Sequence, residues 1–168
     1  MADPADPSGF GRVLSETRGL PLAFISFSVD EYRLPLFNVT DQRYRALGTW
    51  LITDVSVSYS ACLDALQMID DVANGRPLDE GWDSDKYEVD FSPAGVEFVN
   101  EWVADERGRY SLDETREAVE SYWRFLAGRP ENRELIREYW PDLPRWQAEL
   151  LQWEERWGRP HPYRGRLF

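Results

Sequence analysis

Between Leu20 and Val29 the chain reads LPLAFISFSV, and its second half alternates, with Ile25, Phe27 and Val29 apolar and Ser26 and Ser28 polar. A period of two marks a strand with one buried face. A second extended run, Tyr32 to Val39, follows across Asp30-Glu31, so the two are expected to pair as an antiparallel hairpin with a tight connection. Pro35 suits an edge or a bulge, because proline donates nothing to a ladder. The next apolar run, Ala46 to Ile52, is open to two readings, a strand closing this sheet or the lead into a helix.

Residues 55 to 74 shift to helical spacing. Tyr59, Cys62, Leu63, Leu66, Ile69 and Ala73 recur at three and four, with Asp64, Gln67, Asp71 and Asn74 opposite. Asp54 or a nearby serine is expected to cap the start, and Gly75 with Pro77 to end it. After a polar loop, KYEVDF turns its Tyr87, Val89 and Phe91 one way and its Glu88 and Asp90 the other. Ser92-Pro93-Ala94-Gly95 supplies turn chemistry, and the chain returns as VEFVNEWV.

Ser111-Leu112-Asp113-Glu114 has the spacing of a capping box, so a helix should start there. Its inward stripe is Leu112, Val119, Tyr122, Trp123 and Leu126, and Gly128 with Pro130 stops it. Two more helices are expected, from Pro130 to Trp140 and from Pro144 to about Trp157, each opened by proline. The order of strands, helix, hairpin and helices predicts the α+β class: an antiparallel sheet packed by helices, with a helical C-terminal part. One domain over residues 20–157 is expected, between a loose N-terminal tail, 1–19, and a basic C-terminal tail, 158–168.

Charge adds what the periodicity does not. Residues 54 to 120 carry eighteen carboxylates against five basic side chains, a balance of −13 within a chain whose total is −12. Such a field repels nucleic acid and anionic membrane and steers basic partners inward. No apolar run is long enough to span a bilayer, and MADPADPSGFGR has neither the basic start nor the apolar core of a secretory signal, so a cytoplasmic location is the default expectation.

The chemistry of catalysis is thin. His161 is the single histidine and sits in the segment RPHPYRGRLF, where it reads as a tail residue; one imidazole assembles neither a triad nor a histidine-rich metal site. Cys62, the single cysteine, lies on the apolar face of its helix and reads as a buried thiol. The paired acids Asp70-Asp71, Asp79-Glu80 and Asp83 with Asp85 are explained by abundance, and no calcium-loop or phosphate-loop pattern appears. We therefore expect neither enzyme activity nor a cofactor or metal.

Eight tryptophans are more than a core of this size usually needs, and Trp140, Trp146, Trp153 and Trp157 fall in the last thirty residues. The helical spacing of Trp146, Trp153 and Trp157 favours core packing over an exposed patch. The acidic hairpin is different. Glu88 and Asp90 on one strand and Glu97 and Glu101 on the other project from one face, beside the loop Asp79, Glu80, Trp82, Asp83, Asp85, in which Trp82 reads as an interface anchor. Its alternative role is to pin that loop to the core.

From Trp50 to Leu126 the order is a short apolar strand, GTWL, a helix ending in DDVANG, a tryptophan-bearing acidic loop, the hairpin KYEVDFSPAGVEFVNEW and the capped helix YSLDETREAVESYWRFL. This outline resembles small bacterial immunity proteins of contact-dependent inhibition and related polymorphic toxin systems, the CdiI type. The resemblance covers about half the chain and implies tight, stoichiometric binding of a toxin domain, often a basic nuclease. The charge distribution points to the same kind of partner, through Asp79, Glu80, Trp82, Asp83, Asp85, Glu88, Asp90, Glu97 and Glu101. The rival expectations are an adaptor working through the Trp-rich C-terminal helices and a carboxylate enzyme using a divalent ion. A homodimer is left open.

Overall fold

Two small antiparallel sheets and four helices form an α+β structure, a computed structural model that describes residues 24–82 and 84–168. The expected N-terminal tail and Asp83 lie outside the described residues. Strands β1 (Ile25–Val29) and β2 (Pro35–Val39) pair in register from Ile25 opposite Val39 to Val29 opposite Pro35, which puts proline at the end of a two-stranded edge. The connection is longer than the expected Asp30-Glu31 step. The Asp30 carboxylate accepts from the amides of Tyr32 and Leu34, both at 2.8 Å, and Arg33 takes a left-handed conformation, so one side chain organises the whole turn.

The run Ala46 to Ile52 is helical, and the strand expected at GTWL does not form. Helix α1 (Arg45–Trp50) passes into a π-helical turn, Leu51–Val55, and Leu47, Trp50, Leu51 and Val55 are all fully buried. Their spacing of one, three and four fits a helix buried on most sides, which a short apolar run cannot distinguish from a strand. Gly48 is required here, because the Phe37 ring occupies the space that any side chain would fill.

Helix α2 (Tyr59–Ala73) starts at Ser58, whose hydroxyl accepts from the Ala61 amide at 3.1 Å. Gln67 and Asp71, expected toward solvent, are buried; Gln67 donates to the Asp71 carboxylate at 2.8 Å, and Arg76 donates to it at 2.9 Å. Strands β3 (Tyr87–Ser92), β4 (Gly95–Asn100) and β5 (Arg107–Tyr110) form the second sheet in that order. Its inner face is Tyr87, Val89, Phe91, Val96, Phe98 and Tyr110, all buried. Helix α3 (Leu112–Ala127) begins with the full capping box, and Val119, Tyr122, Trp123 and Leu126 face inward. The Glu114 carboxylate also accepts from the Tyr44 hydroxyl at 2.9 Å and pairs with Arg43, so the cap joins α3 to the entry of α1.

The expected helix from Pro130 to Trp140 is absent. Leu135 and Ile136 are 66% and 91% exposed, and Trp140, at helical spacing from Ile136, is also exposed, so the segment has no buried stripe to hold a helix. Pro141 disfavours helical backbone at Trp140, which has a positive φ of 38°. Instead the Arg137 guanidinium donates to the carbonyls of Trp140, Pro141 and Leu143 and folds the segment into a loop. Helix α4 (Arg145–Trp157) does form, and Leu150 and Trp153 are core while Trp146 meets Trp123 edge to face at 6.4 Å. Trp157 is the exposed end of that stripe.

Residues 158–168, expected as a basic tail, pack back onto the helices. His161 and Tyr163 are each 2% exposed, and Phe168 lies 5.1 Å from the Trp123 ring. His161 Nε2 donates to the Leu63 carbonyl at 2.9 Å and Nδ1 accepts from the Tyr163 amide at 3.1 Å, so the neutral ring is the form that satisfies both partners. Arg164 holds Glu154 with two bonds, at 2.7 and 2.6 Å. No helix among the described residues is long and apolar enough to cross a membrane.

Two expectations about stability follow from these contacts. Ser111→Ala removes one side of the capping box and should cost about 1 kcal/mol, read as a lower urea midpoint with an unchanged slope. Burial pushes the His161 imidazole down to about 4 from 6.5. Between those values the unfolded chain binds the proton more strongly, so the stability contributed by the neutral ring is complete above pH 6.5 and is lost as pH falls toward 4. The loss is about 3 kcal/mol. Urea titrations of wild type and His161→Gln at neutral pH and at about pH 4 test it: the wild-type advantage should shrink by that amount, and a constant difference rules it out.

Candidate functional site

The pleat of the β3–β4 hairpin sends Glu88, Asp90 and Glu97 outward while the alternate residues enter the core. Asp90 stands directly opposite Glu97, and Glu88 opposite Val99. Like charges in facing positions destabilise a hairpin, so the arrangement is tolerated by virtue of the packed face beneath it. Glu101 follows β4, and its amide donates to the Lys86 carbonyl at 2.8 Å, which closes that end of the ladder.

Strand β5 modifies the picture. It sets Arg109 opposite Glu97 and Arg107 opposite Val99, so the outward face grades from acidic on β3 to basic on β5. The sequence RGRY contains one apolar residue, Tyr110, and has no alternation that reveals a strand. No ion pair forms between Glu97 and Arg109.

Trp82 has the second of its two expected roles. It makes a single antiparallel bridge with Val89, and its ring meets Trp50 edge on at 4.9 Å and Phe91 at 6.4 Å. The indole therefore pins the acidic loop beside β3. Among the described residues its nitrogen has no partner. Asp79 and Glu80 are exposed on this pinned loop, at the rim of a cleft of about 510 Å³ floored by Ala61, Met68 and Leu78.

The exposed aromatic on this side is Trp102, 78% accessible. Asn100 Oδ1 accepts from the amides of Trp102 and Val103 at 2.8 and 2.9 Å, and the Trp102 indole donates to the Asp85 carbonyl at 3.1 Å. The side chain is thus held upright among Glu101, Asp85 and Lys86. In VEFVNEWV it shares the parity of Val96 and Phe98, so alternation alone does not single it out as exposed. The available signal was Asn100, a residue that leaves ladders for turns by bonding the amides that follow it.

Carboxylates without an ion pair are concentrated in this region, although others, among them Glu117, Glu134, Glu138 and Glu155, lie elsewhere on the molecule. Nine arginines pair with Asp64, Asp70, Asp71, Glu106, Asp113, Glu114, Glu120, Glu131, Glu149 and Glu154. Among the described residues, Asp79, Glu80, Asp85, Glu88, Asp90, Glu97 and Glu101 form no ion pair. The structure thus brings Glu88, Asp90, Glu97 and Glu101 onto one hairpin with Asp85 at its end, and sets Asp79 and Glu80 beside it through the Trp82 bridge.

The other chemistry-bearing residues are engaged internally. Cys62 is fully buried, and burial pushes its thiol up, away from the reactive thiolate. Asp64 accepts from the Trp153 indole at 2.8 Å and from Arg156 at 3.2 Å; burial raises its carboxyl against the effect of both. Among the described residues no group of three His, Cys, Asp or Glu converges as a metal cage. Comparison with protein-family models, with curated proteins and with solved structures gave no match to this chain.

Proposed function

We propose that the protein is a non-enzymatic immunity protein that neutralises a basic toxin domain, a nuclease, by covering it with the β3–β4 face and the adjoining Asp79–Glu80 loop. The observation that carries this reading is the set of carboxylates, Glu88, Asp90, Glu97 and Glu101, that one hairpin presents without an ion-pair partner among the described residues. Uncompensated charge on a rigid sheet raises the rate of encounter with a cationic surface and rejects anionic competitors. Trp102 supplies the apolar anchor that charge alone lacks, standing in the place first assigned to Trp82. The burial of Trp153 and the packing of Trp146 against the core leave the adaptor alternative with Trp140 and Trp157 as the exposed tryptophans of the C-terminal part, and these lie on different segments.

The test is titration of the protein into the toxin domain encoded beside its gene, with nuclease activity and binding kinetics as readouts. Stoichiometric inhibition is expected. Combined Glu88→Gln, Asp90→Asn and Glu97→Gln should slow association about tenfold at low salt and flatten its salt dependence. Trp102→Ala should speed dissociation, with a loss of roughly 2 kcal/mol in affinity. A neighbouring toxin that is not inhibited, or inhibition indifferent to all four positions, overturns the reading.

A further inference from the structure

A second charged surface, of opposite sign, lies where the β1–β2 turn, the start of α2 and the loop between α3 and α4 meet. They enclose a groove of about 710 Å³ into which Arg33, Arg129, Arg133, Arg137 and Arg145 project, against a single lining carboxylate, Glu131. Two of the five guanidiniums are engaged. Arg137 clamps the loop carbonyls and stands 3.9 Å from Glu131, and Arg145 lies 3.7 Å from Glu149. Arg129 donates to the Arg33 carbonyl at 2.7 Å and faces the Phe125 ring at 5.9 Å, so it is positioned without being neutralised. Among the described residues Arg33, Arg129 and Arg133 form no ion pair.

Apolar side chains share the groove in an unusual way. Ile136 is 91% exposed, Leu135 66% and Val57 42%, all three among the lining residues. Large aliphatics in water beside unpaired arginines are the composition of a binding surface, where apolar area supplies affinity and guanidinium forks fix carboxylates. The Arg137 clamp gives this loop one defined shape, so the exposed pair is presented by a braced segment.

We infer that this groove is a second docking surface whose occupant is an extended acidic peptide segment carrying aliphatic side chains, supplied by another protein. Charge and side-chain type together select that occupant. Nucleic acid is disfavoured because Tyr59 is only 8% exposed and Tyr139 bonds Glu149 at 2.9 Å, leaving no open aromatic platform for bases, and because a chain of net charge −12 repels a long polyanion. A second copy of this chain is disfavoured by the same charge on both molecules. A short peptide brings few carboxylates and places them directly on the arginines.

The surface is independent of the acidic face, so the test uses the full chain without any toxin. The probe is a fluorescein-labelled peptide of repeated glutamate and leucine, followed by anisotropy, with a glutamine-and-leucine peptide and an all-glutamate peptide as comparisons. Saturable binding of the mixed peptide is expected, weaker for either comparison and weakened by salt. Arg133→Glu and Ile136→Asp, both at exposed positions that leave the core intact, should each raise Kd about tenfold, while the triple neutralisation of Glu88, Asp90 and Glu97 should leave it unchanged. Absence of saturable binding, equal binding by both variants, tighter binding of a single-stranded oligonucleotide at the same arginines, or concentration-dependent self-association abolished by Arg133→Glu would each overturn the inference.

Discussion

Burial of the Trp50 side chain is the constraint on which the outward features depend. The ring has no solvent exposure and lies 5.0 Å from Phe98 of the central strand and 4.9 Å from Trp82 of the acidic loop. A single residue of α1 thereby ties the helical layer to the sheet and the loop to both. Aromatic contacts of this kind contribute beyond the area they bury. The apolar inner face of the β3–β4 hairpin then holds its carboxylates in parallel rows even though Asp90 and Glu97 repel one another. A Trp50 that had served as a strand residue would have left Trp82 without a floor.

The distribution of ion pairs leaves the β3–β4 hairpin among the uncompensated parts of an acidic surface. Arginines from the near-neutral flanks, Arg43, Arg45, Arg124 and Arg156, reach carboxylates of the acidic middle at Glu114, Glu106, Glu120 and Asp64. Within the middle itself, Arg76 and Arg116 serve Asp70, Asp71 and Asp113. Exposed pairs of this sort add little stability singly. Their larger effect is on the field: most of the helical acids are neutralised, Glu117 and Glu155 excepted, and the hairpin acids are not. Arg107 and Arg109 mark where the acidic face ends.

Legibility in the sequence followed how local each cause is. The two hairpins, α2, the Ser111 capping box and the α+β class were readable because periodicity and cap chemistry act within a few residues. Strand β5 was invisible, since Arg107, Gly108 and Arg109 join a ladder only because β4 offers an edge. The failed helix at Pro130 had correct local signals, but its Leu135 and Ile136 found nothing to pack against. His161 and Tyr163 looked like tail residues because the groove that buries them is built by α2, α3 and α4, far away in sequence. On the hairpin, alternation anticipated the outward face of Glu88, Asp90 and Glu97, whereas Trp82 packs on Trp50 and no local pattern singled out Trp102 as exposed. Both are tryptophans among acids, and only the three-dimensional neighbourhood decides which one water can reach.

The clasp on Trp102 has a further consequence. An indole on a free loop samples several rotamers and surrenders them when captured, a loss of about 0.5–1.5 kcal/mol for an immobilised interface side chain. With Asn100 bracing the backbone and the Asp85 carbonyl holding the ring, most of that conformational entropy is already given up as the chain folds. Any molecule that covers Trp102 meets a surface already shaped for capture, and fast recognition does not have to be traded against a rigid complex.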